Sequence, residues 1–135
     1  MKARSARVLL VGLALLTLAG CEADSHSPRT VAERFINQHY VRIDLVAAEP
    51  FCTGLALKKL QDEQRLTQGQ VIDESTRKPT VRYRLIEHTD DAVRPTFVFE
   101  GTISVDGAGE FKRKWLITTR RDGDTWKVSN FEEFD

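Results

Sequence analysis

The hydrophobic pattern of this chain changes its period once, between residues 66 and 81, and that change restricts the fold to one class. Upstream, Val31, Ala32, Phe35, Ile36, His39 and Tyr40 recur three and four positions apart, the spacing of one helical stripe. Ser27 followed by Pro28 reads as the N-cap and first turn of that helix. "VRIDLVAAEP" predicts a bend and a second short helix ended by Pro50. "TGLALKKLQDEQRL" predicts a third helix, capped by Thr53, with Leu55, Ala56, Lys59, Leu60 and Glu63 in period and Leu57 and Leu66 at its margins. Downstream the alternation is two. Val81, Tyr83 and Leu85 alternate with Arg82 and Arg84. Phe97, Phe99, Gly101, Ile103 and Val105 alternate with Val98, Glu100, Thr102 and Ser104. Phe111, Trp115 and Ile117 share one phase, as do Trp126 and Val128.

Helices first and strands afterwards exclude a βαβ order. The turns "TDDAVR", "DGAG" and "RDGD" are short, so successive strands pair as antiparallel neighbours. Gly101 inside a strand predicts a bulge or a bend. The expected fold is α+β: N-terminal helices packed on the apolar face of a curved four-stranded antiparallel sheet. Phe35, Ile36, Leu55 and Leu60 are the expected helical layer of the core, with Trp115 and Trp126 together on the facing sheet.

This order resembles the nuclear transport factor 2-like fold, also called cystatin-like. The closing "DGDTWKVSNFEEF", residues Asp122 to Phe134, is similar to the last strand of many such proteins, where a turn leads into a Trp-Lys-Val strand. The resemblance covers most of residues 28–135. It implies a cone in which helices close over a concave sheet. Larger members carry extra strands between helices and meander; here only "TQGQVIDESTRKPT" is available, so a small pocket is expected.

The first 21 residues have another character. Lys2, Arg4 and Arg7 form a basic head, Val8 to Leu18 an apolar core, and small residues then lead to Cys21. A membrane-spanning helix needs about twenty apolar residues, so this core reads as an export signal. "LAGC", Leu18 to Cys21, resembles the lipobox of bacterial lipoproteins. In that family the cysteine thiol takes a diacylglyceryl group and cleavage falls just before it. The resemblance implies a signal peptide at 1–20, a lipidated tether at 21–27 and one domain at 28–135. The competing readings are an ordinary cleaved signal with a chance cysteine and an uncleaved anchor. Glu22 follows the cysteine, where Asp favours inner-membrane retention in enterobacterial lipoproteins; the expected site is the outer membrane facing the periplasm in a Gram-negative source.

Function classes narrow by charge and residue type. The chain has 20 basic and 20 acidic residues. Loss of the leader removes three of the former, so the mature chain is mildly acidic and nucleic acid is not an expected partner. Three His and two Cys lack ligand spacing, so no metal or other cofactor is expected. Cys52, beside Phe51, reads as a small buried hydrophobe. Enzymes of the resembled fold, such as ketosteroid isomerases and polyketide cyclases, bury an acid or base in the cone. The predicted inward face (Tyr83, Phe97, Phe99, Ile103, Trp115, Trp126, Val128) carries none. His39 is expected to be partly exposed on its helix, and His88 to be exposed at a strand end. Tyr40, Tyr83, Phe97, Phe99, Trp115 and Trp126 are the candidate pocket or core residues. "FKRKW" is a basic sheet patch, for which the acidic "FEEFD" is a candidate counterpart within the chain or across a dimer. The expected function is non-enzymatic: binding of an envelope protein, of a second copy or of a small apolar ligand, with the membrane engaged through acyl chains on Cys21. The alternative is an isomerase- or cyclase-like enzyme acting in the cone.

Overall fold

The computed structural model describes residues 27–70 and 78–135. Cys21, the expected leader and all of the tether but Ser27 lie outside the described residues. Ser27 caps the first helix as its sequence predicts: its Oγ accepts from the Thr30 N–H at 3.1 Å, and Pro28 fills a first-turn position where no N–H is needed. Helix α1 (Pro28–Ile36) buries Val31, Ala32, Phe35 and Ile36, the expected stripe.

The chain then widens into one π-helical turn, Asn37–Val41, where the Arg42 N–H reaches back to the Asn37 carbonyl at 2.9 Å. The wider turn changes the helical phase of His39 and Tyr40. Ile43 follows with φ +54°, a left-handed conformation that a β-branched residue adopts only under constraint. Two bonds fix it there. The Asp44 N–H bonds the Gln38 carbonyl at 2.8 Å, and Asp44 Oδ1 accepts from the Ala47 N–H at 3.0 Å, opening α2 (Leu45–Ala48). A 3₁₀ turn, Glu49–Phe51, leads on to α3 (Gly54–Leu66). Thr53 stands at the N-cap position of α3 without capping it. Its Oγ1 donates to Asp122 at 2.9 Å and its N–H bonds the Val128 carbonyl at 2.9 Å, so the start of α3 is tied to the sheet.

The sheet is a meander of β1 (Thr80–Thr89), β2 (Thr96–Val105), β3 (Gly109–Asp122) and β4 (Thr125–Phe134), each antiparallel to the next. The α+β architecture, helices on one face of a four-stranded antiparallel sheet, is therefore as the change of period predicts. Helices α1 and α3 pack chiefly over β3 and β4. Phe35, Ile36 and Leu60 meet Phe99, Trp115, Ile117 and Val128, all fully buried. Burial of each such aliphatic or Phe side chain is worth roughly 1.5–3 kcal/mol. Leu55 does not join this layer: it is 50% exposed, on the outer side of α3. Cys52 is buried as expected, its Sγ 3.5 Å from the Ala48 carbonyl.

The irregularities fall elsewhere than Gly101. That residue pairs with Tyr83 and Arg113 in unbroken register. Its missing side chain makes room for the Trp115 ring rather than for a bend. The register slips instead between Leu85 and Glu87 on β1, and on β4 where Thr118 faces Asn130 while Thr119 faces Val128. The second slip makes Ser129 an extra residue. Val128 and Phe131, three apart, are consequently both buried.

A candidate binding cleft at the end of the first helix

The bulge at Ser129 and the π turn together build a cleft of about 620 Å³ between the end of α1, the middle of α3 and the last residues of β4. Past the bulge, β4 sets Phe131 opposite Ile117 and Glu133 opposite Trp115. Glu133 Oε2 accepts from the Trp115 indole N–H at 2.8 Å, and Arg113 lies 3.6 Å from the other carboxylate oxygen. The buried Trp115 ring in turn supports Tyr40, stacked on it at 4.2 Å and 14°.

One residue before Tyr40, His39 is nine-tenths buried, against the expectation of partial exposure. Its ring stacks on Phe35 at 5.1 Å and meets Phe131 at 5.0 Å. Nε2 lies 2.7 Å from Glu63 Oε2, across from α3. Nδ1 is buried and has no hydrogen-bond partner among the described residues. Lys59, one turn before Glu63, donates to Asn130 Oδ1 at 2.7 Å and to the Phe131 carbonyl at 2.9 Å, clamping α3 to β4. Burial first, then Glu133 and Glu63, holds the Tyr40 hydroxyl far above the usual phenol range.

With Nε2 engaged by Glu63 and Nδ1 out of reach of solvent, His39 offers the cleft no free nitrogen. Tyr40 is held neutral and is a poor acid. Glu63, Glu132 and Glu133 line the cleft, and the rings of Phe131 and Phe134 there already lie under Lys59 and Lys114, at 5.5 and 5.8 Å. A larger groove of about 940 Å³ runs along α2 and the end of α3, but exposed polar chains such as Gln61, Gln68 and Gln70 form much of its wall, and it contains no buried titratable group.

Of the candidate residues, only Tyr40 and Trp115 come together here. Phe97 and Phe99 are core. Tyr83 meets Phe99 edge-on at 5.8 Å on β1, and burial together with Glu33 raises its hydroxyl pKa. Trp126 is half-buried near the β3–β4 turn, with the Arg121 guanidinium 5.1 Å over its ring, well down the strand from Glu133. His88 is exposed, as expected. "FKRKW" and "FEEFD" meet within the chain, where Arg113 pairs with Glu133 and Asp135. Glu133 is the residue the alternation misses. "VSNF" places two polar residues between the inward Val128 and Phe131, and that interruption is the signal of the bulge. Among the described residues no three His, Cys, Asp or Glu side chains could hold a metal ion, and no helix is long and apolar enough to cross a membrane.

No protein-family model and no curated protein sequence matches the chain. Among solved structures it is similar to the intermembrane space region of the chloroplast protein ARC6, with a TM-score of 0.41 and 11% identity over 80% of this chain and 96% of that one.

Proposed function

We propose that this chain is a lipid-anchored, non-enzymatic binding domain of the bacterial cell envelope, held on the membrane by acyl chains at Cys21. The finer fold assignment, nuclear transport factor 2-like, belongs to the same proposal and is supported by the order of three helices and a meander closing on Trp-Lys-Val. The observation that carries the reading is where the cleft lies along α1. The six residues Glu22 to Ser27 reach about 20 Å at ~3.3–3.6 Å each. Residues 28–41 add about 20 Å of helix at ~1.5 Å each. The cleft is thus at the far end of α1 from the tether, facing a partner in the aqueous compartment. Tyr40, Phe99 and Trp115 fill the space beneath α1, which favours binding at this open cleft over chemistry in an enclosed cone. Two acyl chains suffice for stable anchoring where one does not.

The test has two parts. Wild-type protein should carry the acyl mass and partition with membranes, and Cys21→Ser should lose both. A photo-crosslinking residue at position 132 or 134 should give a discrete protein adduct in cells, and one at position 90, which lines a groove with Ser27, should not. Absence of the acyl mass, or membrane partition unchanged by Cys21→Ser, would remove the anchor. Equal adducts from both ends would remove the distal cleft as the binding site.

A further inference from the structure

We infer that the open edge of β1 pairs with β1 of a second copy of this chain, joining two four-stranded sheets into one of eight; this goes beyond the cleft and does not depend on it. The two edges of the sheet differ. That of β4 is closed from within the chain, where the Thr53 N–H bonds the Val128 carbonyl at 2.9 Å and Lys59 donates to the Phe131 carbonyl at 2.9 Å. Along the ten residues of β1 the backbone makes no hydrogen bond among the described residues beyond its pairing with β2. Helices α1 and α3 lie chiefly over β3 and β4, so the helical layer leaves this edge accessible. A long open edge is a template for another strand.

The charge order along β1 is complementary to itself, and that selects the occupant. Up to the register slip, Tyr83 and Leu85 face Gly101 and Phe99 on the helical side, and Arg84 faces Glu100 on the other. The slip between Leu85 and Glu87 then moves Glu87, opposite Val98, onto the side of Arg84, and His88, opposite Phe97, onto the side of Tyr83. A two-fold axis between Leu85 and Ile86 therefore sets Arg84 against Glu87 of the second copy, twice, on one side of the sheet, and Tyr83 against its His88 on the other. Opposite charges and aromatic pairs set directly across antiparallel strands stabilise the pairing. Both charges are available. The Glu87 side chain has no ion pair or hydrogen bond among the described residues. The Arg84 side chain is 71% exposed and reaches Glu100 through Nε and Nη2, so Nη1 remains to donate. At the axis itself stand half-buried Leu85 and Ile86, 40% exposed, which the second copy would cover. The operation uses both open edges and leaves the closed β4 edges outermost, so assembly stops at two.

The experiment traps the pairing in cells producing the full-length protein. In this register Arg82 stands opposite Thr89 of the second copy, at the ~4.5–5.5 Å between Cα atoms that a disulfide spans. Arg82→Cys/Thr89→Cys should therefore give a disulfide-linked dimer under mild oxidant, and either single variant should not, because its cysteine then faces no thiol. In the double-cysteine background, Glu87→Arg alone and Arg84→Glu alone should each lower the yield roughly fivefold or more, since like charges then stand opposite twice. Producing these two variants together should restore it, since each copy then meets the opposite charge. Circular dichroism of the purified variants checks that they are folded. No dimer from the folded double-cysteine variant, or equal dimer from a single one, would overturn the pairing. A yield indifferent to Glu87→Arg, or not restored by the mixture, would overturn the register that the charges define. A disulfide adduct of another mass in place of the dimer would assign the edge to a different polypeptide and overturn the second copy. Each of these results leaves the cleft and its crosslinks as they stand.

Discussion

Trp115 occupies the volume that a side chain at Gly101 would need: a Cβ built there would stand 2.1 Å from the indole ring. The two residues are diagonal neighbours across β2 and β3, since Gly101 faces Arg113 and Trp115 faces Phe99. The indole is therefore held between the bare strand on one side and Tyr40 on the other, with its N–H on Glu133. One glycine thus sets the level at which the cleft wall stands.

Gly101→Ala should cost at least ~2 kcal/mol, because the clash is with a ring that has no free volume to enter. Denaturation monitored by far-ultraviolet circular dichroism would show it. Combining Gly101→Ala with Trp115→Phe should cost much less than the sum of the two, since the smaller ring vacates the contested space. Additive losses would mean that the glycine is needed for its backbone and not for the indole.

The two tryptophans should separate in the same assay. Trp115→Ala, at a fully buried site, should cost ~3–5 kcal/mol. Trp126→Ala should cost only ~1–2 kcal/mol, because Trp126 is half-buried beside the β3–β4 turn and touches the core from its margin. Equal losses would show that the margin is as well packed as the centre.

That contrast shows what the sequence made legible. Four strands and three helices could be read from periodicity, and Ser27 with Pro28 from local chemistry, because those signals are short in range. Trp115 and Trp126 share a phase with their own strands, and phase reports which face a residue occupies, not how far along the sheet the helices reach. Periodicity puts His39 on the right helix and at the wrong depth: one extra residue in the turn at Asn37–Val41 changes which way it points, and nothing in "NQHYV" announces a π turn. Glu133 was hidden by the Ser129 bulge in the same way. The cleft is built from these two departures from regular period, so the rule that found the elements could not find the site.

Strain at Ile43 gives an independent check on the π turn. A left-handed β-branched residue costs roughly 1–3 kcal/mol. Ile43→Gly should relieve it, and after the loss of half-buried side-chain packing and the higher entropy of unfolded glycine it should leave the protein ~0.5–1 kcal/mol more stable. A loss exceeding ~1 kcal/mol would mean that the Ile43 side chain contributes more than its backbone costs.

Alkaline pH should destabilise the domain through Cys52. Burial, with Glu49 adding to it, pushes the thiol up to about 12 from an ordinary 9.0. Between those values the folded state keeps a proton that the unfolded state has released, so stability falls as pH rises through this window and is fully present below it. Tyr40 acts in the same direction from about pH 10 upward. Cys52→Ala should flatten the decline between pH 9 and 12 relative to wild type, and the native thiol should resist labelling at pH 8. Rapid labelling of the folded protein would contradict both.

The last expectation separates the packing of the His39 ring from the bonding of its nitrogens. Its ring lies among Phe35, Tyr40 and Phe131, an environment suited to a phenyl group, yet it keeps a buried nitrogen without a partner. Phenylalanine would retain the stacking and remove the orphan. The Glu63 carboxylate it releases is more than a third exposed, so water can replace the lost bond. His39→Phe should therefore leave the denaturation midpoint unchanged or raise it by up to ~1 kcal/mol, whereas His39→Ala, which opens a cavity among three rings, should cost ~2–3 kcal/mol. If His39→Phe instead destabilises as much as His39→Ala, the imidazole is a structural clasp between α1 and α3 whose bond to Glu63 outweighs the orphaned Nδ1. If it stabilises, the chain retains at this position a residue that the fold alone does not require, and the buried nitrogen accounts for its cost.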